Sequence, residues 1–306
     1  MKKIALALHG GAGTILRSSM SKEKEVLYIA ALQSALSLGY EVLEKGGTAI
    51  DAVEQCVISL ENCPLFNAGK GSVFTNTETH EMDAAIMEGD KLMAGAVAGV
   101  NGVRNPIQLA RKIMENSEHV LLYGKGAEEF ARLMNLPFEN SDYFFDQFRY
   151  DQLKEIQNTD TFKLDHSDKK FGTVGAVALD INGNLAAATS TGGMTNKRFN
   201  RIGDSPIIGS GTYANNKTCA VSCTGHGEFF IRAVVAYDVS CLMEYKGLNL
   251  NDACNEVVKH KLVKMGGEGG LIAINADGEC ILSFNSEGMY RAWKDASGNG
   301  GVEIYK

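Results

Sequence analysis

The sequence predicts an α+β fold in which stacked sheets are covered by helices. Strand-like runs come in groups, and helical patterns come in pairs between those groups. The two kinds do not alternate singly, as they would in a doubly wound parallel sheet. The 306 residues permit one large domain or two small ones. A chain of that length closes a core without disulfide staples.

Residues 4–8 form a short apolar run ending in His9-Gly10-Gly11-Ala12-Gly13, so a buried strand entering a glycine loop is expected. Two helical patterns follow. In the second, Ala49, Val53, Cys56, Val57 and Leu60 fall on one apolar face, Thr48 with Asp51 gives an N-cap signal, and Pro64 ends the run. Residues 67–72 read as a turn-rich loop, 82–87 and 92–100 as strands, and 106–135 as two helices around a short strand at 120–123. Residues 151–170 hold five acidic and four basic side chains with few apolar ones, the composition of a solvated linker. Strands are expected at 173–179, 185–191 and 219–224, then helical patterns from Glu228 and from Asn251. Strands at 271–275 and 280–284, joined by Ala276-Asp277-Gly278, close the chain with a hairpin signal.

Composition narrows the function. The formal net charge is −7, which argues against nucleic acid or an anionic membrane as partner. At 44% hydrophobic and 22% charged residues, the chain is of ordinary globular composition. The apolar run after Lys2 and Lys3 stops at His9, too short for a signal peptide, and no stretch approaches the ~20 apolar residues of a membrane span. The seven cysteines are odd in number and lack zinc spacing. Buried free thiols fit best, with Cys219 and Cys223 on one face of a strand, and so does a reducing, cytoplasmic location.

Two glycine motifs fail on context. Gly209-Ser-Gly211-Thr-Tyr-Ala214 has the letters of a dinucleotide fingerprint but is followed by a strand rather than a helix N-terminus. Gly69-Lys70-Gly71-Ser72 lacks a P-loop, with Pro64 where the first glycine belongs. The informative place is Gly172-Thr173, where a hydroxyl begins a strand directly after a glycine and a charged segment. Attack of Thr173 Oγ on the Gly172 carbonyl would shift the acyl group from N to O, and hydrolysis of the ester would cut the chain. The freed α-amine, with a reference pKa of ~8, suits a general base. A second hydroxyl cluster, Thr189-Ser-Thr191-Gly192-Gly193, ends the next strand. Cys223-Thr224-Gly225-His226-Gly227-Glu228 ends a strand and opens a helix, so backbone N–H groups and a threonine hydroxyl make a natural oxyanion hole. Arg201 and Asp204, three apart in a loop, suit a carboxylate and an ammonium.

Lys170-Phe-Gly172-Thr173-Val-Gly-Ala-Val-Ala-Leu-Asp180, Ser190-Thr191-Gly192-Gly193, Arg201-Ile-Gly-Asp204-Ser-Pro206 and Thr224-Gly-His-Gly227-Glu228 together resemble the plant-type L-asparaginase/isoaspartyl aminopeptidase family of N-terminal nucleophile hydrolases. His9-Gly-Gly-Ala-Gly13, Leu65-Phe-Asn67-Ala-Gly-Lys-Gly71 and Phe284-Asn-Ser-Glu-Gly-Met-Tyr-Arg291 extend the resemblance over nearly the whole chain, apart from a linker at about 136–170. The resemblance implies an αββα sandwich in one domain, 1–306, self-cleaved into chains 1–172 and 173–306 that assemble as a dimer of two-chain units. It implies Thr173 as nucleophile and, through its amine, base, with Thr191 stabilising it and Asn67 supporting it. Thr224 Oγ and the Gly225 N–H would form the oxyanion hole. Arg201 would hold the substrate α-carboxylate, and Asp204 and Gly227 the α-amine. The loop from Leu60 to Lys70 resembles a sodium-binding loop using the backbone carbonyls of Leu60, Glu61, Cys63, Phe66, Ala68 and Lys70; Lys70 is unusual there, since its ammonium would repel a cation. His226 reads as a packing or surface residue.

The activity so implied is hydrolysis of the side-chain amide of L-asparagine and of β-aspartyl dipeptides. A glycosylasparaginase is disfavoured by the missing signal peptide and disulfide framework. A taspase-like endopeptidase is disfavoured because a protein substrate lacks the free zwitterion that Arg201 and Asp204 suit. A non-cleaving binding scaffold is disfavoured by the intact set Gly172, Thr173, Thr191 and Thr224.

Overall fold

The computed structural model describes residues 3–158 and 172–306. Its strands form two sheets. The larger has eight strands, with β1 (Ala5–Gly13) third from one edge. The strand runs straight through the expected glycine loop, because its register with a late strand shifts between His9 and Gly11 and the bulge absorbs one glycine. On one side of β1 lies β5 (Val174–Leu179), then β6 (Leu185–Thr191), β2 (Met82–Glu88), β3 (Ala94–Val100) and β4 (Leu121–Tyr123). On the other side lie β11 (Gly288–Lys294) and β12 (Gly300–Tyr305), two strands the sequence reading did not anticipate. The second sheet runs β10 (Cys280–Phe284), β9 (Gly269–Asn275), β8 (Cys219–Gly225), β7 (Thr212–Ala214).

The period of two decides which layer each residue faces. Leu6, Leu8, Val174, Ala176, Ala186 and Ala188 join a core with helices α1 (Lys22–Glu44), α2 (Ala49–Glu61), α3 (Pro106–Asn116) and α4 (Gly124–Leu133). Ala5, Ala7, Val177, Leu179 and Ala187 join a second core with Ala220, Ile272 and Ile274 of the smaller sheet. Small alanines on the inner face let the sheets approach closely. The far side of the smaller sheet is covered by α8 (Val235–Lys246) and α9 (Leu250–Asn255), through Val235, Val239 and Leu250.

The helix signals held where they were local. Thr48 Oγ1 accepts from the Asp51 N–H at 3.3 Å, as an N-cap should. Helix α1 is long and apolar enough, by length and composition, to cross a membrane, an exception to the expectation that no such stretch exists. Here it packs on α2 and β1, with Leu32, Ala35 and Leu43 buried. The run at 92–100 is shorter than expected, because Leu92 turns through a left-handed conformation (φ 57°) before β3 begins.

Two further differences arise from tertiary contacts. The single helix expected from Glu228 is split into α7 (Gly227–Ala233) and α8, with Val234 at φ 51° between them. A β-branched residue is strained there. The break lets the Ala236 and Tyr237 N–H groups donate to the carbonyls of Ser210 and Gly209. The second difference lies in the stretch expected to be a flexible linker, 136–170. Its first part carries α5 (Ser141–Phe144) and α6 (Gln147–Asn158), held down by buried Phe144 and Leu153; residues 159–170 lie outside the described residues. All seven cysteines are free, and Cys219 and Cys223 are both buried.

Candidate active site

Thr173, Gly175, Val177 and Leu179 alternate toward the smaller sheet, and so do Leu185, Ala187, Thr189 and Thr191 on β6. One end of the gap between the sheets is therefore lined by hydroxyls. Thr173 Oγ1 donates to Thr191 Oγ1 at 3.2 Å, and the Gly193 N–H donates to the same Thr191 oxygen at 3.0 Å. Thr173 is buried.

Asn67 holds the peptide on the other side of the nucleophile. Its backbone N–H donates to the Gly172 carbonyl at 3.1 Å, and its own carbonyl accepts from the Gly192 N–H at 3.0 Å. Its side-chain amide donates to the Gly193 carbonyl at 2.7 Å, while its Oδ1 accepts from the Val73 N–H at 2.9 Å. Glycine is needed at both contact points. A Cβ on Gly172 would stand 2.6 Å from Asn67 Cβ, and one on Gly192 only 2.4 Å from Asn67 Oδ1.

Across the gap, Ser222 and Thr224 share a face of β8. His9 ties that face to the nucleophile: its Nδ1 is 3.0 Å from the Thr173 carbonyl and its Nε2 2.9 Å from Ser222 Oγ. The chain of hydroxyls continues through Thr189 to Thr212, at 2.7 Å for each step. Burial pushes the His9 imidazole down to about 3, so it stays neutral and donates from Nδ1 to the carbonyl. Thr224 Oγ1 accepts from the Ala12 N–H at 3.2 Å. Gly225 ends β8, and Gly227 begins α7.

Arg201, Asp204 and Gly227 lie together in the structure. A Cβ on Gly227 would lie 2.8 Å from Arg201 Nη2 and 2.9 Å from Asp204 Oδ1. Asp204 is buried, and its Oδ2 has no hydrogen-bond partner among the described residues. Burial pushes its carboxyl up to about 7 against the pull of its own backbone N–H and of Arg201. A buried, unpartnered carboxylate oxygen beside a guanidinium suits a ligand that carries both an ammonium and a carboxylate.

The loop after α2 packs tightly on itself. A Cβ on Gly69 would meet the Glu61 carbonyl oxygen at 2.4 Å, and one on Gly71 the carbonyl oxygens of Phe66 and Pro64 at 2.1 and 2.5 Å. Glycine at both positions lets these carbonyls pack directly on the loop's own backbone. The Lys70 ammonium lies 5.2 Å from the centre of the Tyr143 ring, which gives that charge a cation–π partner.

Four residues near the site were not singled out from the sequence. His9 and Ser222 bridge the sheets. Lys197, almost fully buried, donates from Nζ to the Glu81 carbonyl at 2.7 Å and lies against Gly193. Glu228 was visible only as the last letter of a motif, yet both its oxygens sit on Arg201. For His9, Ser222 and Glu228 the signal available was polarity in an apolar or glycine-rich context; Lys197, among Thr195, Asn196, Arg198 and Asn200, carried none.

Comparison with known proteins covers the whole chain. A family model described as Asparaginase matches residues 2–304. An isoaspartyl peptidase of Escherichia coli (strain K12) is 53% identical over 312 residues, covering 100% of this chain and 97% of that protein. A probable isoaspartyl peptidase/L-asparaginase 2 of Arabidopsis thaliana is 41% identical over 326 residues, covering 99% of each. An isoaspartyl peptidase/L-asparaginase of Rattus norvegicus is 39% identical over 302 residues, covering 98% of this chain and 89% of its own.

Proposed function

The chain belongs to the asparaginase family, and from that membership we propose a self-processing threonine hydrolase whose nucleophile becomes an N-terminus. It is an enzyme that hydrolyses the side-chain amide of L-asparagine and the β-aspartyl bond of isoaspartyl dipeptides. The two substrates share an aspartyl zwitterion, which is why one clamp serves both.

The observation that carries the mechanism is the Gly172–Thr173 peptide. Its hydroxyl is bonded to Thr191, and its carbonyl is polarised by the Asn67 N–H. Thr173 Oγ attacks the Gly172 carbonyl carbon. The C–N bond breaks, leaving an ester on Oγ and a free Thr173 amine. Water then hydrolyses the ester to a Gly172 carboxylate. In turnover the amine takes the Oγ proton, and Oγ attacks the substrate amide carbon. The oxyanion is met by Thr224 Oγ and the Gly225 N–H; Thr224 already accepts from Ala12, so its own proton is free to donate. Ammonia or the leaving amino acid departs with a proton, and water releases L-aspartate from the ester. Arg201 binds the α-carboxylate, while Asp204 and Gly227 bind the α-amine.

The backbone carbonyls of Leu60, Glu61, Cys63, Phe66, Ala68 and Lys70 would hold a sodium ion, whose positive charge would fix the loop leading to Asn67. The architecture is a four-layer αββα sandwich in one domain, and the mature molecule is a cytoplasmic dimer of two-chain units. Both halves stay in one fold because the larger sheet interleaves them: β1 from the first half pairs with β5 and β11 from the second.

Intact-mass spectrometry after prolonged incubation, with aspartate release measured on L-asparagine and on a β-aspartyl dipeptide, tests this reading. Chains of 172 and 134 residues and turnover of both substrates are expected. A stable 306-residue species with full activity overturns the N-terminal nucleophile.

A further inference from the structure

Glu228 is the second residue of α7 and reaches the loop that carries Arg201. Its carboxylate accepts from Arg201 Nε and Nη2, at 2.8 Å each. His226 Nε2 stands 3.2 Å from the same Oε2, so the carboxylate is itself braced. Against burial, which raises it, His226 and Arg201 hold the Glu228 carboxyl well below the ordinary carboxylate range. It is therefore a full anion throughout the working range of an enzyme.

The two bonds occupy one edge of the guanidinium. A planar guanidinium has a second edge, Nη1 with the other Nη2 hydrogen, able to take another carboxylate in parallel. That second edge lies between two glycines. A Cβ on Gly203 would stand 2.9 Å from Nη1, and one on Gly227 would stand 2.8 Å from Nη2 and 2.9 Å from Asp204 Oδ1. Side chains at either position would press on the guanidinium, so glycine keeps that edge clear of them on the side of Asp204.

An unbraced arginine has several rotamers and must lose that freedom when a ligand binds. One fixed carboxylate removes the cost in advance. On this geometry we propose that Glu228 is a positioning residue, which holds Arg201 by its Nε–Nη2 edge and turns the Nη1–Nη2 edge to the substrate α-carboxylate. The proposal rests on the assignment of Arg201 as carboxylate anchor. Glu228 touches no reacting atom, so its effect falls on substrate affinity and not on bond cleavage.

Steady-state kinetics on fully processed wild type, Glu228→Ala and Glu228→Gln, with L-asparagine and its α-carboxamide, test it. Glu228→Ala is expected to raise KM for L-asparagine about tenfold, the worth of one charge-assisted contact, with kcat and self-cleavage within about twofold. Glu228→Gln keeps one acceptor oxygen and should fall between, and it decides the matter where the alanine variant folds poorly. KM for the carboxamide, which offers Arg201 no carboxylate, should hardly move. Unchanged KM for L-asparagine, equal loss on both substrates, or a fall confined to kcat overturns the positioning role. Wild type without activity on L-asparagine or a β-aspartyl dipeptide would instead overturn the functional reading beneath it.

Discussion

At the scale of single residues, the site depends on one hydroxyl used twice. Thr173 Oγ bonds Thr191 in the described chain, and the same oxygen serves self-cleavage and turnover. Thr173→Ala is therefore expected to leave an intact chain without amidase activity. Thr173→Ser should retain some of both, since it keeps the oxygen but loses the methyl that locks χ1. Denaturing gels and aspartate release decide it. Normal processing of the alanine variant would mean that the scissile bond lies elsewhere. Asp204 is poised by opposing causes: burial raises its carboxyl to about 7 against the pull of its own backbone N–H and of Arg201.

At the scale of elements, close approach fixes where helices sit on sheets. Helix α3 crosses β3 at Gly95, where a Cβ would stand 2.0 Å from the Ala110 carbonyl oxygen and 2.6 Å from the Met114 nitrogen. Both are backbone atoms, so the helix itself must move. Gly95→Ala is expected to destabilise by about 1–3 kcal/mol or more, a loss of several degrees in Tm. Gly99, also in β3, is the control: its φ is 63°, and nothing lies within 4 Å of a built Cβ. Gly99→Ala should lose only the left-handed penalty of ~1–2 kcal/mol. Thermal melts of the two variants separate packing from backbone strain. Equal losses would show that α3 yields freely.

At the scale of the whole molecule, the two sheets are joined by buried polar groups whose protonation links folding to pH. His9 is held down to about 3 by burial, while its ordinary value is 6.5. Between those values the unfolded chain binds the extra proton. Stability from a neutral His9 is thus complete above about 6.5 and is lost as pH falls toward 3. Asp204 acts in the opposite sense: its raised pKa favours the protonated folded form, so stability falls as pH rises toward 7. Comparing wild type with His9→Asn isolates the histidine. In a Thr173→Ala background, which keeps one refoldable chain, the stability difference should shrink by about 2 kcal/mol between pH 6.5 and 5. Urea titrations at several pH values measure it. Parallel pH curves would show that His9 is not held neutral.

Local patterns were legible in the sequence because their causes are local. The Thr48 cap, the paired helices, the strand at 185–191 and the hydroxyl after Gly172 all follow from spacing within a few residues. The family motifs likewise named Thr173, Thr191, Arg201 and Asp204, and the fold brings Thr173 against Thr191 and Arg201 toward Asp204 through Gly227. The helices at 141–158 were hidden, since their charged composition masks the buried Phe144 and Leu153 that hold them. Strands β11 and β12 were hidden because glycine and charge break their alternation, and their order comes from pairing beside β1 and each other. No spacing rule reaches from His9 to Ser222, 213 residues away, or from Arg201 to Glu228 on a separate element. Sequence alone determined which chemical groups are present and how each short segment folds. Tertiary structure decided which groups meet, because contacts across two sheets depend on strand order and facing parity, which only the closed core fixes.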